Sequence, residues 1–393
     1  MKDHLYIAWK YLSYNKAKTA TLVGCIVLIA FMPLALELLL NESERQLISR
    51  AVETPLVIGA KGSSLDLIMN TLYFGDEVPE VITMAAADRV LESDLAMPIP
   101  MYVRFTARNH PIIGTTLDYF DFRNLTLATG EPLTMLGDCI LGATTAEDLE
   151  LGVGDYLVSS PENLFDLAGT YPLKMKIVGV LKKSHTPDDI AVFVDLKTTW
   201  IIQGLMHGHQ DLWKVEDPTL ILDQSDKNIT GSPKVYEYSE ITEKNIDQFH
   251  YHGDPLTAPI TAVIAIPFEE KSATLLRGRY LSKDEIYQIV KPEETIDTMF
   301  ENIFRIKNVL DAVILVVSFG TIAALILVFA LSLRLRQREI RTIFMIGCRQ
   351  LTIVRLIAAE ISIVIFLGAF ICMVLLMVTG QYDHQLVRLL FIE

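Results

Sequence analysis

Three long stretches without a charged side chain decide what this chain can fold into. Thr19–Leu36 runs for 18 such residues, Ala312–Leu333 for 22 and Ile361–Tyr382 for another 22. A helix crossing a hydrocarbon layer about 30 Å thick needs roughly 20 predominantly apolar residues, and all three runs meet that length, the first narrowly. Pro33 does not disqualify the first run, because neighbouring helices re-satisfy a carbonyl that a proline frees. The rival for this window is a cleaved signal peptide. Against it, the helical pattern carries on through Leu34–Leu40 and no small-x-small site closes the run. A retained anchor is therefore expected, in a membrane protein whose α-helical transmembrane part has three predicted spans.

Orientation follows from the basic residues. Lys2, Lys10, Lys16 and Lys18 precede the first run, and Arg334, Arg336, Arg338, Arg341, Arg349 and Arg355 lie between the second and third. Excess Lys and Arg stay on the cytoplasmic side. The expected layout is a cytoplasmic segment at 1–18, a first span at 19–40 that continues into a stalk, and a large extracytoplasmic domain at 41–300. A second stalk and span follow at 301–333, then a cytoplasmic element at 334–355, a third span at 356–382 and a short tail at 383–393. The outer stretch carries 21 Lys and Arg against 40 Asp and Glu, a net −19 where the whole chain has −14. Such a surface excludes nucleic acid as a partner, since binding it depends on neutralising phosphates with cations. Glu37, Asp311 and Glu360 stand at the ends of runs, where a charged head reaches the interface.

Within the outer domain, Leu36–Arg50 has a helical apolar period and reads as the stalk. Strands are expected at Thr54–Gly59, Met101–Thr106, Tyr156–Val158, Lys174–Val180, Ile190–Val194 and Ala258–Pro267, and helices at Thr144–Leu149 and Leu196–Leu205. That mixture predicts an α+β domain and not a sandwich. Residues 60–135 and 215–257 are candidates for a second, peripheral lobe.

Catalytic patterns are missing. There is no G-x-x-x-x-G-K-[ST], so no phosphate cradle of the P-loop kind, and Gly59–Ser64 and Gly152–Gly154 read as turns. No G-x-S-x-G elbow surrounds Ser63 or Ser64. Cys139 is the only cysteine outside, Cys25 and Cys372 being in spans and Cys348 in the inner element, so the outer domain has no intrachain disulfide. Asn124-Leu125-Thr126 and Asn228-Ile229-Thr230 match only a common sequon. His185, Asp188, Asp189, His207 and His209 are the residues that could hold a metal, imidazole and carboxylate being zinc ligands. Their spacing does not demand convergence, and polar loop residues are the plainer reading.

The inner element is the most specific stretch. Ile340, Ile343, Phe344 and Gly347 fall at i, i+3, i+4 and i+7, one helical face with glycine where a helix would stop. An amphipathic helix of this kind inserts its apolar face into a partner's groove. Arg338-Glu339-Ile340, then Gly347-Cys348, a helical re-entry and Glu360 resemble the coupling region of FtsX-like permeases of the MacB/LolC/LolE group of ABC transporters. Arg341 and Cys348 stand where that group often has Gly and Ala. Gly130–Leu133 through Cys139–Gly142 to Leu151–Asp155, followed by Lys174–Val180, is similar to the group's periplasmic core, whereas its usual fourth span has no counterpart here.

The resemblance implies a non-catalytic, multi-pass permease of the bacterial inner membrane with an outer domain of MacB periplasmic-core type. ATP and Mg would be bound by a separate LolD/MacB-like P-loop ATPase subunit, and no cofactor by this chain. Arg338, Glu339, Ile340, Ile343, Phe344, Gly347, Cys348 and Glu360 would make up the ATPase-coupling set. Further implied partners are a second permease chain, in a homodimer or heterodimer, membrane lipids and a periplasmic adaptor. A membrane-anchored ligand sensor or scaffold without an ATPase is the alternative.

Overall fold

The computed structural model describes residues 2–161, 172–208, 221–224, 229–231, 239–251, 253–282, 285–335, 337, 341–342, 345 and 350–381. They open with helices α1 (Lys2–Tyr14) and α2 (Lys16–Glu53), then β1 (Leu56–Ala60), α3 (Ser64–Tyr73), β2 (Ile82–Thr83) and α4 (Ala85–Leu91). Strands β3 (Ala96–Ala107) and β4 (His110–Thr115) precede α5 (Asp118–Phe122), β5 (Leu127–Gly130), β6 (Asp138–Leu141) and α6 (Ala143–Leu149). Next come β7 (Tyr156–Val158), β8 (Lys174–Leu181), β9 (Val192–Asp195), α7 (Leu196–Ile202), β10 (Met206–Gly208), β11 (Ile221–Gln224) and β12 (Ile229–Gly231). The body closes with β13 (Phe249–Tyr251), β14 (Pro259–Ile260), β15 (Ala262–Pro267), α8 (Glu270–Arg279) and β16 (Tyr287–Val290), before α9 (Pro292–Leu335) and α10 (Gln350–Gln381).

Two compact units result, one from Met1–Gln46 and Thr298–Phe391, the other spanning Leu47–Asp297. The second is built on a ten-stranded mixed sheet in the order β16-β1-β15-β3-β4-β9-β6-β8-β5, with β7 also paired to β8. β4 and β9 run parallel, as do β6 and β8, and the other neighbours are antiparallel. Burial follows the period of two where one face is covered: in β8, Met175, Ile177 and Leu181 are buried while Lys176 is exposed. In the interior strand β15 the run Ala262–Ala265 is buried throughout.

The β3–β4 connection has only Arg108 and Asn109 in its loop, both at positive φ (48° and 68°), with Ala107 paired to His110. This is the two-residue hairpin whose twist suits the flanking strands. Residues 60–135, a candidate for a peripheral lobe, instead supply β3 and β4, the middle of the sheet. Their apolar side chains, Ile99, Tyr102, Phe105 and Ile112 among them, are buried. Alternation in a short window does not distinguish a central strand from a peripheral one; sheet order depends on partners far along the chain.

In the helical unit α2 and α10 meet through Leu22, Val23 and Val364, joined by Leu12 of α1. The covered face of α10 is a strict four-residue stripe of Glu360, Val364, Gly368 and Cys372. A Cβ at Gly368 would lie 2.8 Å from Ile26 Cγ2, so glycine is what lets the two helices approach.

Candidate functional site

The end of α2 is fastened by a charged residue that sequence reasoning passed over. Arg50, in the last turn, is 6% exposed and faces Asp188, 1% exposed, from the 3-10 turn Pro187–Ile190. Its Nη1 donates to Asp188 Oδ2 at 2.6 Å and its Nη2 to Oδ1 at 2.9 Å, a bidentate fork. The same Nη2 donates to the Tyr119 hydroxyl at 2.8 Å, which itself donates to Asp188 Oδ1 at 2.7 Å. Thr186 adds a hydroxyl donor to Asp188 Oδ2 at 2.8 Å. The Arg50 guanidinium also lies 5.5 Å from the ring centre of Phe74.

A second arginine extends the cluster. Arg123 Nη2 donates to Thr54 Oγ1 at 2.7 Å, and Thr54 Oγ1 in turn donates to the Arg50 carbonyl at 2.9 Å, capping the helix end. Tyr73 donates its hydroxyl to the Leu47 carbonyl one turn earlier. Gly142, at the start of α6, permits the 187–190 turn to come close: a Cβ there would overlap the carbonyl oxygens of Asp188 and Asp189.

Electrostatics keep the pair ionised. Burial works to raise the Asp188 pKa, but the Arg50 charge and the hydrogen bonds from Arg50 and Tyr119 outweigh it and hold the carboxyl at about 2. Burial likewise opposes the Arg50 charge, and Asp188 more than restores it, so the guanidinium stays above its ordinary value. The Tyr119 phenol is pushed up by burial. None of these groups is poised to exchange a proton near neutral pH; the arrangement holds a helix end in place.

The metal reading of His185, Asp188 and Asp189 fails on the same geometry. Asp188 is committed to Arg50. Asp189 accepts from the backbone N–H and hydroxyl of Ser184 at 2.8 and 2.9 Å and from the His185 N–H at 2.7 Å. Both carboxylates therefore build the turn. His207 of β10 instead faces His250 of β13, directly opposite in the ladder, with ring centres 5.4 Å apart; His209 lies outside the described residues. His250 was missed, although its own H-x-H pattern with His252 was the signal. Among the described residues no group of three or more His, Cys, Asp or Glu side chains could hold a metal ion.

Of the coupling set, Arg338, Glu339, Ile340, Ile343, Phe344, Gly347 and Cys348 lie outside the described residues. Glu360 is described: it is 5% exposed, on the covered stripe of α10 rather than at an open interface. The expectation of three spans is met only in part. Lys16–Ala35 and Leu351–Gly380 are long and apolar enough to cross a membrane, whereas in α9 the qualifying apolar stretch among the described residues is Asp311–Ala324, which is shorter.

Comparison with known proteins adds the decisive observation. The family model of the MacB-like periplasmic core domain matches residues 26–222. The chain belongs to this family. It is thus a member of the MacB/FtsX superfamily of ABC-transporter permeases, with a non-catalytic, mixed α+β periplasmic-core domain accompanied by apolar helices. Among solved structures, the periplasmic region of MacB from Actinobacillus actinomycetemcomitans is similar at 12% identity, covering 63% of this chain and 93% of that one, with a TM-score of 0.34. The extracellular domain of the noncanonic ABC-type transporter YknZ from Gram-positive bacteria gives 15% identity, 60% and 98% coverage and a TM-score of 0.33. A domain of a putative permease protein from Porphyromonas gingivalis gives 10%, 60% and 86%, and 0.27. No curated protein matches the chain.

Proposed function

We propose that this chain is the permease subunit of an ABC transporter in which a separate P-loop ATPase, binding ATP and Mg, drives movement of the extracytoplasmic domain. The cargo is a lipid, lipoprotein or hydrophobic peptide, exported or extracted from the outer leaflet without passing through the bilayer core. Family membership supports this reading, and one structural observation carries it. α2 is a single helix of 38 residues that contains the apolar run Thr19–Leu36 and carries Arg50 of the buried Arg50–Asp188 fork in its last turn. At 1.5 Å per residue it is about 57 Å long. A tilt imposed at one end of such a helix is delivered to whatever its other end is bolted to, which is what mechanotransmission requires.

In this reading the chain is a multi-pass protein of the bacterial inner membrane with three spans, α9 providing the second. The whole run Ala312–Leu333 lies inside that one helix, and Leu315, Val316, Phe319, Ile326 and Leu327 on it are each at least 64% exposed, which suits a lipid or protein-covered surface and not water. Two permease chains pair around the path, as a homodimer or heterodimer, with membrane lipids about them and a periplasmic adaptor as a further partner. Arg338, Glu339, Ile340, Ile343, Phe344, Gly347 and Cys348 dock on the ATPase, and Glu360 seats the helix that follows.

Purification of the full chain with its P-loop ATPase in mild detergent tests this. The wild type is expected to retain the ATPase and to stimulate it in liposomes, whereas Phe344→Ala and Gly347→Pro each retain less than about a fifth as much. Undiminished complex and undiminished stimulation in both variants would overturn the docking assignment. Absence of any ATPase from the wild-type complex would favour the sensor or scaffold.

A further inference from the structure

Helix α1 is joined to α2 through a bend at Asn15, and most of its surface does not suit water. Ala8 and Leu12, 0% and 4% exposed, form its covered row, with Leu12 packed among Leu22 and Val23 of α2 and Val364 of α10. The bend is held from within. Thr19 Oγ1 donates to the Leu12 carbonyl at 2.9 Å, and Asn15 Nδ2 donates to the Tyr11 carbonyl at 3.1 Å. Everything else on the helix that is large and apolar lies open: Leu5, Tyr6, Ile7, Trp9 and Tyr14 are each at least 45% exposed.

The open side has a pattern. Tyr6, Lys10 and Tyr14 recur every four residues, two positions out of step with Ala8 and Leu12, which puts them on the side of the helix away from the covered row. Lys2 continues the same spacing in the sequence. Lys10 Nζ stands 5.8 Å from the centre of the Tyr6 ring, so cation and phenol share one patch. Residues 1–18 carry Lys2, Lys10, Lys16 and Lys18 against Asp3, a net +3 in a chain whose total is −14.

We propose that α1 lies in the headgroup layer of the membrane and is a binding surface for anionic phospholipid. Continuity and charge name this occupant. Only Asn15 separates α1 from α2, whose stretch Lys16–Ala35 is long and apolar enough to cross a membrane, so headgroups lie within reach of α1. Trp and Tyr rings combine an apolar body with a polar tip and concentrate at that boundary. A lysine there keeps its stem among apolar groups and extends its ammonium to phosphate. The net positive charge complements anionic headgroups, each lysine near such a surface being worth roughly a fivefold preference. A protein groove selects one apolar stripe, whereas here cation and aromatic ring alternate along a single row, as a layer that is itself both apolar and anionic requires. Held in this way, α1 anchors the start of α2. The inference rests on the membrane placement given under the proposed function and needs no ATPase.

Quenching of tryptophan fluorescence by brominated lipid tests it, with the full chain in nanodiscs. Subtracting the signal of Trp9→Phe from that of the wild type isolates Trp9. Brominated phosphatidylglycerol is expected to quench this component at least twofold more than brominated phosphatidylcholine at the same mole fraction. In Lys2→Gln with Lys10→Gln the ratio is expected to fall close to one, whereas Lys61→Gln with Lys197→Gln, two exposed lysines of the outer domain, should keep the wild-type ratio. Equal quenching by the two lipids in the wild type, or an unquenched Trp9, would overturn the proposal. Failure of the spans themselves is read separately, as a chain that does not enter the nanodisc; a chain that enters with Trp9 unquenched counts against α1 alone.

Discussion

At the scale of single residues, the consequential decision is that a charge pair sits inside the outer domain. Taking one partner from a buried, hydrogen-bonded pair leaves the other charge unpaired, at a cost of about 3–5 kcal/mol. Asp188→Asn is therefore expected to lower stability by that amount in denaturant melts of the full chain. Arg277→Ala, which breaks an open surface pair with Glu294, should stay within about 1 kcal/mol. The pH dependence has a definite sign. The Asp188 carboxyl sits at about 2 when folded against an ordinary 3.8, so the unfolded chain takes up this proton first. Stability from the pair is complete above about pH 4 and drains away as the pH falls towards 2, by about 2 kcal/mol in total. Asp188→Asn should lack that component, so the two melting curves converge over this window. A difference that stays constant from pH 5 to pH 2 would show that the pair is not held this way.

Helix contacts dominate at the scale of elements. The four-residue stripe on α10 depends on Gly368, where the helix meets Ile26 of α2, whereas a Cβ at Gly320 of α9 would have no neighbour within 4 Å among the described residues. Overfilling a tight helix contact costs about 1–3 kcal/mol. Gly368→Val is expected to lower the melting temperature of the detergent-solubilised chain by several degrees and Gly320→Val to leave it unchanged, as circular dichroism would measure. Equal effects would mean that α2 and α10 do not meet at Gly368. The stripe also accounts for the burial of Glu360: at the edge of an apolar run, it is turned by the helical period onto the covered face of α10.

For the molecule as a whole, sidedness is the property to test. Cys139 cannot report it, being 0% exposed with a thiol that burial, and secondarily the Asp138 charge, pushes up and so keeps unreactive. An introduced cysteine at exposed Lys244 is the better probe. A membrane-impermeant maleimide should label Lys244→Cys from the outer side and native Cys348 only once the inner membrane is opened; labelling of both from one side would sink the assigned topology. Much of this was legible in the sequence. Long uncharged runs, basic flanks and local periods are properties of neighbouring residues, so they disclosed the apolar helices, the Gly-Val-Gly-Asp turn into β7 and the mixture of strands and helices. Other features joined residues too distant for any local pattern to couple. Arg50 and Asp188 are 138 positions apart, and β3 and β4 became central only when β15 and β9 paired with them. The sequence by itself determined which segments are apolar and which are acidic, because hydropathy and charge are additive along a chain. Only the tertiary structure decided that Asp188 holds a helix and that His207 faces His250, because burial and close approach exist only once the sheet has assembled.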